Sequence, residues 1–257
     1  MGLPFISGRM GRGGTLASAT GGGGGAFPNE YSISLDGTDD YLDLGSSNTY
    51  ANTGSAFSIS AWFKLDTFTN YPAIIQLKTN QSVSFLLATS QTSPYQGVWF
   101  GSYTGPGFKG FSTNSSSVAS SIATGWHNLV FTFDGVNSQS ASSFTIYIDG
   151  SAVTCNTPVT IGSYANVNKI GAGDASHFRY DGLIDEVAIF GSELTSSNVT
   201  AIYNSGVPND LSALSPVGWW RMGDNDGGTG TTITDQGSGG NDGTLTNGPT
   251  FSSTVPS

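Results

Sequence analysis

The sequence predicts an all-β protein, a sandwich of antiparallel sheets, on three observations. Short segments alternate apolar and polar residues with period two, as in FSISAWFKL (Phe57 to Leu65) and WHNLVFTF (Trp126 to Phe133). Asp-Gly pairs close several of them, at Asp36-Gly37, Asp134-Gly135 and Asp149-Gly150, where a backbone must reach positive φ. Glycine, serine and threonine are abundant while charged residues make up only 10% of the chain, a balance that suits many turns and few helices.

The stretch from Tyr31 to Leu44 sets the pattern. Tyr31, Ile33 and Leu35 alternate with Ser32 and Ser34, which gives a strand one apolar face. Asp36-Gly37 then turns the chain, Asp39 and Asp40 follow, and Tyr41, Leu42 and Leu44 belong to a second short strand. Further strands are expected over Phe57 to Leu65, Ala73 to Lys78, Ser82 to Ala88, Gly97 to Tyr103, Trp126 to Phe133, Phe144 to Gly150 and Leu183 to Phe190. In the first of these, Phe57, Ile59, Ala61, Phe63 and Leu65 share one face and Trp62 takes the other. One helix is expected, from Thr195 to Tyr203, started by Ser/Thr and stopped by Gly206.

Residues 1–28 form a different composition, a glycine-rich arm with Arg9 and Arg12 and no acid before Glu30. Such a segment buries too little surface to fold alone, so it reads as a linker or as an arm that docks on a partner. Residues 29–257 read as the folded domain. The net charge of −10 argues against a nucleic-acid partner, because phosphate binding needs clustered Lys and Arg. No apolar run is long enough to span a bilayer, and Gly8 to Gly25 stands where a signal peptide would be apolar, so export is not expected. Cys155 is alone, which excludes a disulfide framework.

The motifs SLDGTDDYLDL, FSISAWF, GWHNLVFTFDG, IYIDG and DGLIDEVAIF occur in this order. Over roughly Glu30 to Tyr203 they resemble the laminin-G-like domains of the concanavalin A-like lectin/glucanase superfamily. The resemblance implies a jelly-roll sandwich of two antiparallel sheets, with a structural calcium site and a sugar- or protein-binding role. Gly218 to Phe251 is similar to the opening strands of such a domain, yet here it comes last. The expectation is a circularly permuted fold in which residues 217–250 complete the same sandwich, since Trp219 and Trp220 need a pre-existing sheet to bury them. The alternative is a second repeat that is cut off.

Catalysis is not expected, and no catalytic residue is assigned. Related glycosidases carry acids at alternate positions of one strand, whereas Asp185 and Glu186 are adjacent and a regular strand sends them to opposite faces. His127, His177 and Cys155 have no partner motif. For metal, calcium takes six to eight oxygens, and the first turn offers carboxylates. Asp36, Asp39 and Asp185 are the expected ligands, with Asp40 beside them. Asp185 shares parity with Leu183, Val187 and Ile189, where a lone carboxylate is costly. The family resemblance brings this strand near the turn. DNDGG (Asp224 to Gly228) is a weaker second candidate. For ligands, Tyr95, Trp99, Tyr103 and Phe108 lie in or beside loops with few charges, where aromatic rings stack on sugars.

Two functions fit. The glycine-rich arm, the lone cysteine and WWRMGD near the end are similar to structural proteins of tailed phages. That resemblance implies a non-enzymatic virion protein, either a capsid decoration, a fibre or a tail appendage. It would sit in the virion, contact other virion subunits through the arm and form a homo-oligomer. The alternative is a carbohydrate-binding or adhesion module for cell-surface glycans.

Overall fold

The computed structural model of the chain describes residues 27–51, 54–68, 71–79, 84–103, 108–136, 140–159, 167–173 and 178–257. The first strands are β1 (Ser32–Asp36), β2 (Tyr41–Asp43), β3 (Phe57–Leu65), β4 (Ala73–Lys78), β5 (Ser84–Ser90), β6 (Gly97–Tyr103) and β7 (Phe108–Ser112). Helix α1 (Ser116–Ser121) follows, then β8 (His127–Phe133), β9 (Phe144–Ile148), β10 (Ser151–Val153), β11 (Thr157–Val159), β12 (Lys169–Ile170) and β13 (Asp181–Phe190). After helix α2 (Ser196–Tyr203) come β14 (Gly218–Trp220), β15 (Thr232–Ile233), β16 (Gly243–Thr246) and β17 (Thr250–Ser252).

These strands form two antiparallel sheets, a jelly-roll sandwich. One runs β10-β9-β8-β3-β13-β1-β17, with β14 also paired to β13, and the other runs β11-β7-β6-β5-β4-β12-β2-β16-β15. Phe57, Ile59, Ala61, Phe63 and Leu65 of β3 all enter the core between the sheets, while Trp62 points outward and stacks on Tyr203 of α2 at 6.0 Å. Across the core, Phe100, Phe111, Phe131, Phe133 and Phe144 interlock, with Phe100 and Phe144 only 4.7 Å apart. Helix α2 covers the outer face of the first sheet, where Val199 and Ile202 meet Val130, Ala188 and Phe190.

The turns follow their chemistry. Gly37 sits at φ +72°, and a Cβ there would lie 2.8 Å from that of Asp181, so only glycine fits the first turn. Asp149 and Gly150 both take positive φ, the paired geometry of a two-residue hairpin. Thr195 caps α2 and exchanges bonds with Asn198 in a capping box.

Several short elements were not expected, among them β7, β10, β11, β12 and α1. The loop after β6 contains a further strand, β7, which pairs with β6 from Trp99↔Ser112 to Tyr103↔Phe108. A second helix, α1, is only six residues long, and its Ser115 cap accepts from the Val118 amide. Its run of Ser and Ala carries no apolar period by which to read it. Among the described residues no helix is long and apolar enough to cross a membrane.

The C-terminal strands are divided between the sheets. β14 pairs with β13, β17 with β1, and β16 with β2. Strand β13 therefore has two partners along one edge: β1 beside Asp181 to Ile184, and β14 beside Val187 to Ile189. A β-bulge lies where the partners change, between Asp185 and Ala188, with Glu186 at φ +45°.

Candidate functional site

Four aromatic residues gather on the outer face of the nine-stranded sheet. Leu87, Val98 and Phe100 face the inter-sheet core, so the alternating Leu86, Ala88 and Trp99 face away from it. Trp99 is buried at 1% exposure, and around it stand Tyr95 at 5.2 Å, Phe178 at 6.0 Å and Tyr71 at 6.1 Å between ring centroids. Tyr71 and Tyr95 meet edge-on, at 5.3 Å and 82°. Both remain partly exposed. Tyr71 holds its backbone at φ +59°, a conformation that costs about 1–3 kcal/mol and gathers at ligand clamps. Among the described residues the buried indole N–H of Trp99 has no hydrogen-bond acceptor. Burial also raises the Tyr95 hydroxyl pKa, helped by Tyr71.

Of the four expected aromatics, the structure therefore brings Tyr95 and Trp99 together. Trp99 supports the cluster from below and does not stand on a loop. Tyr103 and Phe108 occupy facing positions of β6 and β7, and their side chains lie outside the described residues. Tyr71 and Phe178 belong to the cluster but were not expected there. Each sits in a short irregular segment with no alternation to mark its direction.

The loop that carries Tyr95 also borders a cleft of about 290 Å³ against α1, lined by Gln91, Gln96, Ser116, Ala119, Ser120 and Ala123. Ser112 fastens this loop by donating to the Pro94 carbonyl, and Thr113 donates to the Gln96 carbonyl at 2.7 Å.

The carboxylate turn forms as a cluster of three. One oxygen from each of Asp36, Asp39 and Asp40 lies within 4.8 Å of the others. Asp36 accepts from the Thr38 amide at 2.8 Å, Asp40 accepts from the Asp36 amide at 3.3 Å, and Asn247 donates to the Asp39 carbonyl. Burial, then the charges of Asp36 and Asp39, raise the Asp40 pKa above its ordinary value. An all-oxygen set of neighbouring acids, in which the charges of two raise the pKa of the third, suits a hard cation such as calcium. Asp185 is not part of this set. Asp36 pairs with Asp181, and Asp185 lies four residues further along β13, about 13 Å away at ~3.3 Å per residue.

Asp185 instead joins Glu186 at the bulge. Ile184 and Val187, three residues apart, both face the inter-sheet core, so alternation fails between them. Asp185 keeps the expected parity with Leu183, but the bulge breaks its expected parity with Val187 and Ile189 and its expected divergence from Glu186. The two carboxyls repel each other and share Asp224 as a neighbour. Arg221 joins the group: its Nε donates to Glu186 at 2.8 Å and its Nη2 to Asp224 at 2.9 Å. The Trp219 indole donates to Glu186 at 2.6 Å. Residues 27–31 lie over the network. Phe27 stacks on Trp219 and under Arg221, the Pro28 carbonyl accepts from Arg221, and Asn29 donates to Asp185 at 3.1 Å. The Glu30 and Tyr31 amides both donate to Asp224. Burial pushes Asp185 well above the usual carboxylate range and Glu186 up to about 7, although Arg221 opposes the rise at Glu186. Asp224, in the second metal candidate, is thus committed to Arg221 and the backbone, and Asp226 accepts from Thr234.

Two further titratable candidates, His127 and Cys155, are structural. His127 bonds Asp149 at 2.8 Å through Nδ1 and the Thr124 carbonyl at 2.9 Å through Nε2. Burial raises the Cys155 thiol to about 12, so it is no nucleophile at neutral pH. His177 lies outside the described residues.

No curated protein sequence matches the chain. Among solved structures, a protein from Bacteroides ovatus, named for carbohydrate binding, is similar with a TM-score of 0.58 at 14% identity, over 90% of this chain and 62% of that one. The chain thus spans less than two thirds of that protein. Domains LG4-5 of the mouse laminin alpha1 chain align with a TM-score of 0.41 at 12% identity, over 65% of this chain and 44% of theirs. The CBM40 of a Ruminococcus gnavus IT-sialidase aligns at 0.45 and 11% identity, over 70% of this chain and 100% of that domain. The laminin-G-like family described as the concanavalin A-like lectin/glucanases superfamily matches residues 36–200, well over half of the sequence, and the chain belongs to it.

Proposed function

We propose that this protein is a non-catalytic carbohydrate-binding sandwich that takes its ligand at the outer face of the nine-stranded sheet. The observation that carries the reading is the pair Tyr71 and Tyr95, partly exposed rings braced edge-on against buried Trp99. Rings held from below keep little rotamer freedom to lose when a sugar stacks on them. The fold shared with the Bacteroides ovatus protein, whose name states carbohydrate binding, supports the same reading. Burial supports the non-catalytic part. Asp185 and Glu186 are 0% and 2% exposed beneath residues 27–29, and their oxygens already serve Asn29, a backbone amide, Trp219 and Arg221.

The experiment is affinity electrophoresis in gels containing soluble polysaccharides. Tyr95→Ala and Tyr71→Ala should each abolish retardation by the polysaccharide that retards the parent, with an unchanged melting temperature for Tyr95→Ala. Equal retardation of parent and both variants would remove this face from the reading. The virion role rests on the arm, and residues 1–26 lie outside the described residues. Calcium, if bound, would be held by Asp36, Asp39 and Asp40 and would neutralise their mutual repulsion.

A further inference from the structure

We infer that the cleft between residues 91–96 and α1 is a subsite for one electrically neutral sugar unit, an inference that rests on the carbohydrate-binding reading and adds its ligand class. Gln91, Gln96, Ser116 and Ser120 present carboxamide and hydroxyl groups to a space of about 290 Å³, with Ala119 and Ala123 as apolar wall. That volume is at the small end of the range for ligand sites and suits a single ring better than a long oligomer.

The four polar side chains are uncommitted. Gln96 is fixed through its main chain, whose carbonyl accepts from the Thr113 hydroxyl and the Ser115 amide, and its carboxamide makes no bond among the described residues. Ser115 and Ser117 bond each other at 2.9 Å and Ser121 bonds the Val118 carbonyl, while the hydroxyls of Ser116 and Ser120 of the same helix make no hydrogen bond among the described residues. Each carboxamide offers a donor and an acceptor side by side, the arrangement that vicinal sugar hydroxyls complement. The hydroxyls offer donor and acceptor in either sense.

Charge decides the ligand class. Between Lys78 and His127 the chain carries Lys109 as its sole charged residue, although the net charge of the whole is −10. Among the described residues no cation lines the cleft to pair with a carboxylate, and an acidic sugar would enter unpaired against the overall negative field. A neutral polyol meets no such penalty. The same loop places Tyr95 beside Gln96, so a chain of sugars could lay one unit in the cleft and the next on the tyrosines.

The test is binding of the full chain to immobilised neutral oligosaccharides of glucose, mannose, galactose, xylose and arabinose, beside sialyllactose and oligogalacturonate. Ser120→Trp fills the cleft from an exposed helix position, and Gln96→Ala removes one carboxamide while leaving the main-chain bonds. The expected result is binding to a neutral oligosaccharide that falls at least tenfold in both variants, with melting temperatures unchanged. Neutral-glycan binding that is equal in parent and variants overturns the cleft and leaves the tyrosine face standing. Preference for sialyllactose or oligogalacturonate overturns the ligand class. Binding to none of the glycans overturns this inference together with the reading beneath it.

Discussion

Trp219 donates its indole N–H to Glu186 at 2.6 Å from the strand that lies directly beside it. That bond sits where β13 changes partner from β1 to β14, and the bulge there turns Glu186 to meet it. Arg221, two residues beyond Trp219, then links Glu186 to Asp224, and Asp224 holds the amides of Glu30 and Tyr31. Residues 27–31 and 219–224, far apart in sequence, are thus joined through one buried ionic group.

Breaking this group from one side should be severe. Arg221→Met leaves the buried Glu186 and Asp224 carboxylates without their cation, which costs about 3–5 kcal/mol. Urea unfolding at pH 7.5 measures the loss. An unchanged midpoint would show that Arg221 contributes little to the fold.

Acid should stabilise the fold. Asp185, Glu186 and Asp224 all have raised pKa values, chiefly through burial. At His127 burial acts to lower the pKa, but the bonds to Asp149 and the Thr124 carbonyl, with the Asp149 charge, raise it overall. A group whose folded pKa is raised gives stability that is full below its unfolded value and is lost as pH climbs through the folded value. For Glu186 that window runs from its ordinary value of 4.5 to about 7. Melting temperature should therefore fall between pH 5 and pH 8. Asp185→Asn removes a charge that the buried site disfavours, and should flatten the fall. A rise in melting temperature over that range would contradict the assignment.

Calcium should bind at the first turn if the three acids form a cation site. A ligand of the native state stabilises it by mass action, about 2.7 kcal/mol at a hundredfold excess over Kd. Millimolar calcium should raise the melting temperature over that in chelator, and Asp39→Ala should remove the difference. Superimposable melts of the parent in calcium and chelator would mean that the turn is simply solvated. Asp185→Asn should leave the calcium effect intact, because Asp185 lies on the far side of four strand residues.

How far the sequence could be read depended on whether a segment was regular. β3, β4 and β6 match their expected bounds because alternation and turn residues agree there. Trp219 and Trp220, adjacent on β14, part as alternation requires: Trp220 enters the inter-sheet core and Trp219 the outer cluster under α2. The same rule failed at Asp185 and Glu186, since alternation assumes a regular strand and a bulge inserts a residue. Nothing local in DEVAIF marks that bulge, which arises where β1 ends and β14 begins. The aromatic face was half legible. Tyr95 and Trp99 lie in one stretch, while Tyr71 and Phe178 arrive from distant loops by tertiary packing.

Removal of the residues after Pro216 should abolish the cooperative fold. β14 covers half of one edge of β13, β16 pairs with β2, and β17 pairs with β1, so truncation strips pairing from both sheets. It also removes Trp220, fully buried in the inter-sheet core, whose burial is worth ~5 kcal/mol at about 25 cal/mol per Å² over roughly 200 Å². Glu186 loses both Trp219 and Arg221, and becomes a buried carboxylate without a partner. Domains are marginally stable by about 5–15 kcal/mol, so these losses together exceed what the remainder can sustain. The truncated chain should aggregate, or bind a hydrophobic dye and melt without a cooperative transition. A soluble fragment with the melting curve of the full chain would show that strands β14 to β17 contribute nothing essential to either sheet.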